Sequence, residues 1–227
     1  MLAALALGLA SLTSTPDAKS APIRLDVDAS EISRRIVHTK LTIPVADLVV
    51  KDGKATLLYP KWIPGEHAPD GPIAGVVNLK FTVPNAPRDA KPLPWKRDLV
   101  EMFAFHVDVP AKADAIVAQF DFVTPTDGGS FSGSTMGTEN VGVISFNQLL
   151  LVPDGKKPDA LDVATTLRVP RGWQFGTALP LGQKSFDVLA FQPASLTTVI
   201  DSPVNMGRYF KRFALDRDHG VSVAADS

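Results

Sequence analysis

The chain has 227 residues, with 23 basic against 24 acidic side chains and a formal charge of −1. Hydrophobic residues at 45% and charged ones at 21% are ordinary values for a folded domain and exclude wholesale disorder. The near-neutral balance, with no cluster of Lys and Arg, offers no face to a nucleic acid, and the lack of cysteine excludes disulfides, thiolate zinc, iron–sulfur clusters and a cysteine nucleophile.

Residues Met1 to Leu12 form an apolar run that is too short to span a bilayer, which needs about 20 such residues. Its length suits the core of a secretory leader, so residues 1–21 are expected to be a leader segment and the protein periplasmic or secreted. Residues 22–227 are expected to form one domain. From Pro22 onward the dominant period is two. Val37, Leu41 and Ile43 alternate with His38, Lys40 and Thr42. Leu99 to Val109 sets Phe103, Phe105, Val107 and Val109 against Met102, His106 and Asp108, and residues 116–122 and 163–169 alternate likewise. Shorter β-rich pieces lie at 54–59, 76–83, 141–152, 196–201 and 208–215, Ala111–Ala118 has room for one helical turn, and Pro84–Pro94 reads as a surface loop. The 19 prolines and 16 glycines fall mostly between these pieces, in turn dipeptides such as Asp52-Gly53 and Asp154-Gly155. The expected fold is all-β, a sandwich or saddle of antiparallel sheets with about ten strands and little helix.

No catalytic constellation emerges from these residues. The four histidines, His38, His67, His106 and His219, do not form the His-Glu-x-x-His pair that binds zinc on a helix. His38 and His106 read as exposed strand residues. Gly129 to Ser134 lacks the spacing of a serine-nucleophile elbow, and there is no phosphate loop or dinucleotide fingerprint. No residue is therefore assigned a catalytic or metal-binding role.

Four segments in order carry a resemblance: Leu57 to His67, with Trp62-Ile63-Pro64-Gly65; Phe146-Asn147-Gln148 running into Leu149–Pro153; Leu167 to Trp173 with Thr177-Ala178-Leu179; and Asp201-Ser202-Pro203-Val204. Together they resemble the N-terminal domain of metallopeptidase family sixty-one, the glycyl-aminopeptidase family, over roughly residues 22–227. Such enzymes follow a β-rich N-terminal domain with a zinc domain carrying His-Glu-x-x-His, a motif this chain lacks. The resemblance implies a non-catalytic scaffold that walls the substrate cleft of a zinc aminopeptidase, the chain itself being a fragment of the full enzyme. It binds no cofactor of its own, zinc belongs to the missing catalytic domain, and that domain, in cis or in trans, is the expected partner. Peptide substrate is met only in the complete enzyme; no nucleic acid and no membrane span are expected.

Related aminopeptidases hold the substrate's free amine with a polar residue of this domain, which makes Asn147 or Gln148 the substrate-binding candidate. Trp62, Pro64 and Gly65 read as architecture, with Trp62 plugging a core edge and Pro64-Gly65 turning the chain. Asp201, Ser202 and Pro203 read as a turn whose Asp201 side chain accepts backbone N–H bonds. Two alternatives stand beside this reading: a free-standing β-sandwich binding module without activity, and a small hydrolase built on His67 with Glu66 or Asp70. The module predicts a surface without a large apolar patch; the scaffold predicts one where its partner docks.

Overall fold

The structure is a computed structural model that describes residues 20–63, 67–87, 89–125, 134–217 and 219–227. Residues 1–19 of the expected leader segment, Pro64, Gly65, Glu66 and most of the Gly/Ser stretch 129–134 lie outside these residues. The fold is all-β, as the alternation predicts. Its largest sheet runs in the order Leu181–Ser185, Val188–Phe191, Asp162–Arg168, Ile23–Asp28, Ile36–Pro44, Ala115–Val123, Val76–Thr82. Neighbours along it are antiparallel except at one place, where Ile23–Asp28 lies parallel to Asp162–Arg168. A smaller sheet orders Val152–Pro153, Lys54–Leu58, Ala104–Asp108 and Trp95–Arg97, and another orders Gln174–Gly176, Val204–Gly207, Val141–Ile144 and Met136–Gly137. A hairpin of Tyr209–Ala214 with Gly220–Ala225 completes the set.

Period-two patterning decides which face each strand buries. In Ile36–Pro44, Val37, Leu41 and Ile43 are buried while His38, Lys40 and Thr42 face out. The inward rows of all three sheets meet in a single apolar cluster, with Leu25, Leu41, Phe81 and Phe122 from the large sheet. Leu57 and Phe105 join from one small sheet, Ile144 and Met206 from the other.

Several local expectations are corrected. More and shorter strands are present among the described residues than the ten expected, because Pro and Gly break the pairing. Residues 196–201 are not a strand: Leu196–Ile200 is the α-helix of the described residues, and Ser195 caps it by accepting from the Thr198 N–H. Ala111–Ala118 is not a helical turn; the chain turns at 111–112 and enters the strand Ala115–Val123. The strand expected from Leu99 begins only at Ala104. Pro84–Pro94 is a surface connection, anchored by the Leu93 N–H donating to the Phe81 carbonyl at 2.8 Å.

Candidate functional site

Strand Val141–Ile144 ends at Ser145, and Phe146–Leu149 folds into a 3-10 turn whose side chains are all buried. The turn carries both amide candidates. Ser145 Oγ donates to Asn147 Oδ1 at 2.7 Å, and the Thr135 N–H donates to Gln148 Oε1 at 2.7 Å. Thr135 Oγ1 in turn accepts from the Ser145 N–H at 3.0 Å and donates to the Ser145 carbonyl at 3.2 Å. Buried amides need such partners. Gln148 therefore fixes the segment at Thr135 against the 3-10 turn, while among the described residues the Asn147 side chain meets the serine two residues before it.

Tyr59 ties this turn to the small sheet. Ala55, Leu57 and Tyr59 are successive inward positions, so Tyr59 is buried, and its hydroxyl donates to the Gln148 carbonyl at 2.9 Å. Burial raises its phenol pKa. Its own N–H donates to the Phe103 carbonyl at 2.8 Å. Trp62 does not plug the core edge: it is 60% exposed. After Pro60 the chain leaves the sheet, so Trp62 has no inward position to occupy. Tyr59, three residues earlier, is the aromatic that this segment buries, and Trp173 is the buried tryptophan among the described residues.

Residues 98–103 form a braced turn. Asp98 Oδ1 accepts from the N–H groups of Val100 and Glu101, each at 2.8 Å, and Asp98 Oδ2 meets His106 Nε2 at 2.9 Å. His106 Nδ1 meets Thr56 Oγ1 at 3.0 Å. The His106 bond first, then the two backbone donors, hold the Asp98 carboxyl down at about 2. Lys61 Nζ pairs with Glu101 Oε2 at 2.6 Å, and Arg97 Nε donates to the Met102 carbonyl. The line Thr56–His106–Asp98 has the order of a hydroxyl, a base and an orienting acid, but the carboxylate also closes the turn, and holding it is the role the geometry gives. At the tip, Leu99 and Val100 are 95% and 94% exposed, beside an exposed Met102.

The outward face of the large sheet differs. A trough of about 760 Å³ is floored there by Asp26, His38, Lys40, Gln119, Asp121 and Arg168, among others. His38 is half-exposed between Asp121 Oδ1 at 2.7 Å and Glu31 Oε2 at 3.1 Å. Asn78, at φ 56°, donates to Asp121 Oδ2 at 2.6 Å. The bond to Asp121 is the main reason the His38 pKa is raised. Burial pulls Asp121 upward, but Asn78 and His38 outweigh it and leave its pKa lowered.

Among the described residues no group of three or more His, Asp or Glu is placed to hold a metal ion. His67 and Asp70 are exposed, and Glu66 falls outside the described residues. The Asp201-Ser202-Pro203 turn is closed by backbone rather than by the Asp201 side chain: the Asp201 N–H donates to the Thr197 carbonyl and the Ser202 N–H to that of Val199. These are the last bonds of the short helix, whose presence the period-two reading missed. Tyr59, Thr135 and the 98–103 turn were also missed as elements of the site. Asp98 two residues before Val100 is the one available sequence signal, an Asx turn.

The hairpin Tyr209–Ala225 lies against the second small sheet. Ser222 and Ala224 approach Gly176 and Gly207 so closely that a Cβ on either glycine would sit at 2.6 Å and 3.0 Å from them. Its other face shows Tyr209, Phe213, Val221 and Val223 to solvent, with Lys211 Nζ 4.8 Å above the Phe213 ring. No helix among the described residues is long and apolar enough to cross a membrane.

A family model described as the Peptidase M61 N-terminal domain matches residues 24–208, ending just before the hairpin. No curated protein matches the chain. Among solved structures it is similar to an aminopeptidase N family protein from Idiomarina loihiensis, at 18% identity and a TM-score of 0.67, over 89% of this chain and 32% of that one. It is also similar to the native leukotriene A4 hydrolase of Saccharomyces cerevisiae, at 10% identity and a TM-score of 0.50, over 88% and 30% of the two chains. At these identities the likeness is one of fold, and the chain spans about a third of the length of either structure. With its fold matched and most of its length covered by the family model, the chain belongs to the peptidase M61 N-terminal domain family.

Proposed function

We propose that this chain is the non-catalytic N-terminal scaffold of a zinc-dependent aminopeptidase and walls one side of its substrate cleft. The family match over residues 24–208 carries the reading. Zinc and the attacking water belong to a catalytic domain in cis. This domain's part is to bind and orient. The 3-10 turn supplies the amide for the substrate's free amine, and Asn147 is the better suited of the pair. Gln148 Oε1 is already committed to the Thr135 N–H, whereas among the described residues Asn147 Oδ1 accepts one bond, from Ser145, and keeps acceptor capacity. A free-standing binding module has no need of exposed apolar groups in quantity, and the hairpin face and the 98–103 tip both supply them.

The test is kinetic and uses the complete gene product. Asn147→Ala should raise KM for peptides with a free N-terminal Gly or Ala about 10- to 100-fold, as loss of a bond to a charged group does. It should leave already poor N-acetylated peptides unchanged. Equal KM values for wild type and variant would remove Asn147 from the site. A complete product that releases no amino acid with zinc present would remove the aminopeptidase reading itself.

A further inference from the structure

We infer that the 98–103 turn is a preformed apolar key that seats against the catalytic domain beside the substrate cleft; the inference rests on the scaffold reading above. Two aliphatic side chains almost wholly in water have no role in the fold that displays them. The turn beneath them is nevertheless built with care: Asp98 closes it through two backbone donors, His106 holds Asp98, Lys61 holds Glu101, and Arg97 holds the Met102 carbonyl. A rigid display of Leu99 and Val100 loses little freedom on docking, which favours association.

The position of the turn names its occupant. Tyr59 bonds the Gln148 carbonyl through its hydroxyl and the Phe103 carbonyl through its N–H. The turn and the amide-bearing 3-10 element are thus held to one residue, at one end of the small sheet. If the amides face the substrate, this end of the sheet borders the catalytic domain, and the apolar groups at that end are the ones it covers. Trp62, following the Lys61 that bridges to Glu101, extends the same apolar end. Of the acidic groups beside the tip, Asp98 is hydrogen-bonded by His106 and two backbone N–H groups and Glu101 is paired with Lys61, so neither carboxylate meets an apolar contact without a partner. The occupant is therefore an apolar surface of the peptidase domain, about a third of the relatives' length being accounted for by this chain.

The lack of native cysteine in this chain makes the test direct. Val100→Cys, and separately Leu99→Cys, is placed in the 227-residue chain and in the complete gene product, and reaction with a maleimide is followed at that position by mass. Lys80→Cys, in the outer trough, is the control. Burial in a domain interface should slow labelling of both tip cysteines about 100-fold in the complete product relative to the 227-residue chain, with the control changed less than about twofold. Equal tip rates in a complete product that is an active zinc aminopeptidase would overturn the docking and leave the scaffold reading intact. Protection that appears only when peptide is added would also overturn it, assigning the tip to substrate. A complete product without zinc-dependent peptidase activity would overturn the scaffold reading first, and the docking with it.

Discussion

Two exposed regions of this domain handle solvent in opposite ways. On the outward face of the large sheet, His38, Asp121 and Glu31 are hydrogen-bonded to one another or to Asn78, and the strand Ile36–Pro44 beneath alternates strictly. At the end of the small sheet, polar side chains brace a turn, and aliphatic and aromatic groups at its tip are left in solvent. The first arrangement is complete in water. The second is not, since apolar area in water carries a cost that burial removes. Within one domain, the face that needs nothing further and the face that awaits a partner can be told apart by what their polar groups do.

The largest expected effect tests whether the second region is an integral unit. Tyr59→Ala should destabilise the domain by about 3–5 kcal/mol, as loss of a large buried aromatic does, read as a shift of the denaturant midpoint at constant slope. Tyr59→Phe, which strands only the Gln148 carbonyl, should cost about 1–3 kcal/mol. If Tyr59→Phe is neutral, the Tyr59 bridge between the 3-10 turn and the tip is without weight. Gln148→Leu should follow at about 1–3 kcal/mol by leaving the Thr135 N–H without its acceptor. Asn147→Ala should cost less, which separates the structural amide Gln148 from the one proposed to bind substrate.

The outer face is tested by pH. His38 has a raised folded pKa, so its pairing stabilises fully below the unfolded value of 6.5 and is lost as pH rises through the folded pKa. His38→Gln should therefore be less stable than wild type at pH 5–6, by about 0.3–1 kcal/mol after solvent screening, and the gap should close toward pH 9. A gap that widens with pH would reverse the assignment. Asp98 behaves in the opposite sense. Its lowered pKa gives stability that is present above the unfolded value of 3.8 and lost as pH falls toward about 2, and Asp98→Asn should remove that acid sensitivity. The smallest effect belongs to the tip: Leu99→Ser with Val100→Ser should leave stability within about 0.5 kcal/mol, the usual range for exposed positions. A larger loss would make the tip part of the fold and not a contact surface.

Alternation made the sheets legible in the sequence, because a half-buried strand must place Val37, Leu41 and Ile43 on one side. Proline and glycine marked the strand ends for the same local reason. The parallel pairing of Ile23–Asp28 with Asp162–Arg168 was not legible, since it joins residues more than a hundred positions apart and leaves no local trace. The site was legible only in part. Asn147-Gln148 beside an apolar run signalled amides in need of partners, yet which partners depended on Thr135 and Tyr59, brought in by the tertiary fold. Trp62 misled because a large aromatic near a strand end reads as core, while the chain had already left the sheet at Pro60. The tip was hidden by its own composition: Leu99-Val100 within an alternating stretch reads as strand, and only Asp98, capping its own turn, says otherwise.

The proposed scaffold role is tested most directly by comparing the 227-residue chain with the complete gene product in release of free amino acid from Gly- and Ala-terminal peptides, with and without a zinc chelator. Chelator-sensitive release by the complete product and none by the 227-residue chain is the expected result. Release by the 227-residue chain, or a complete product inert with zinc present, would contradict it.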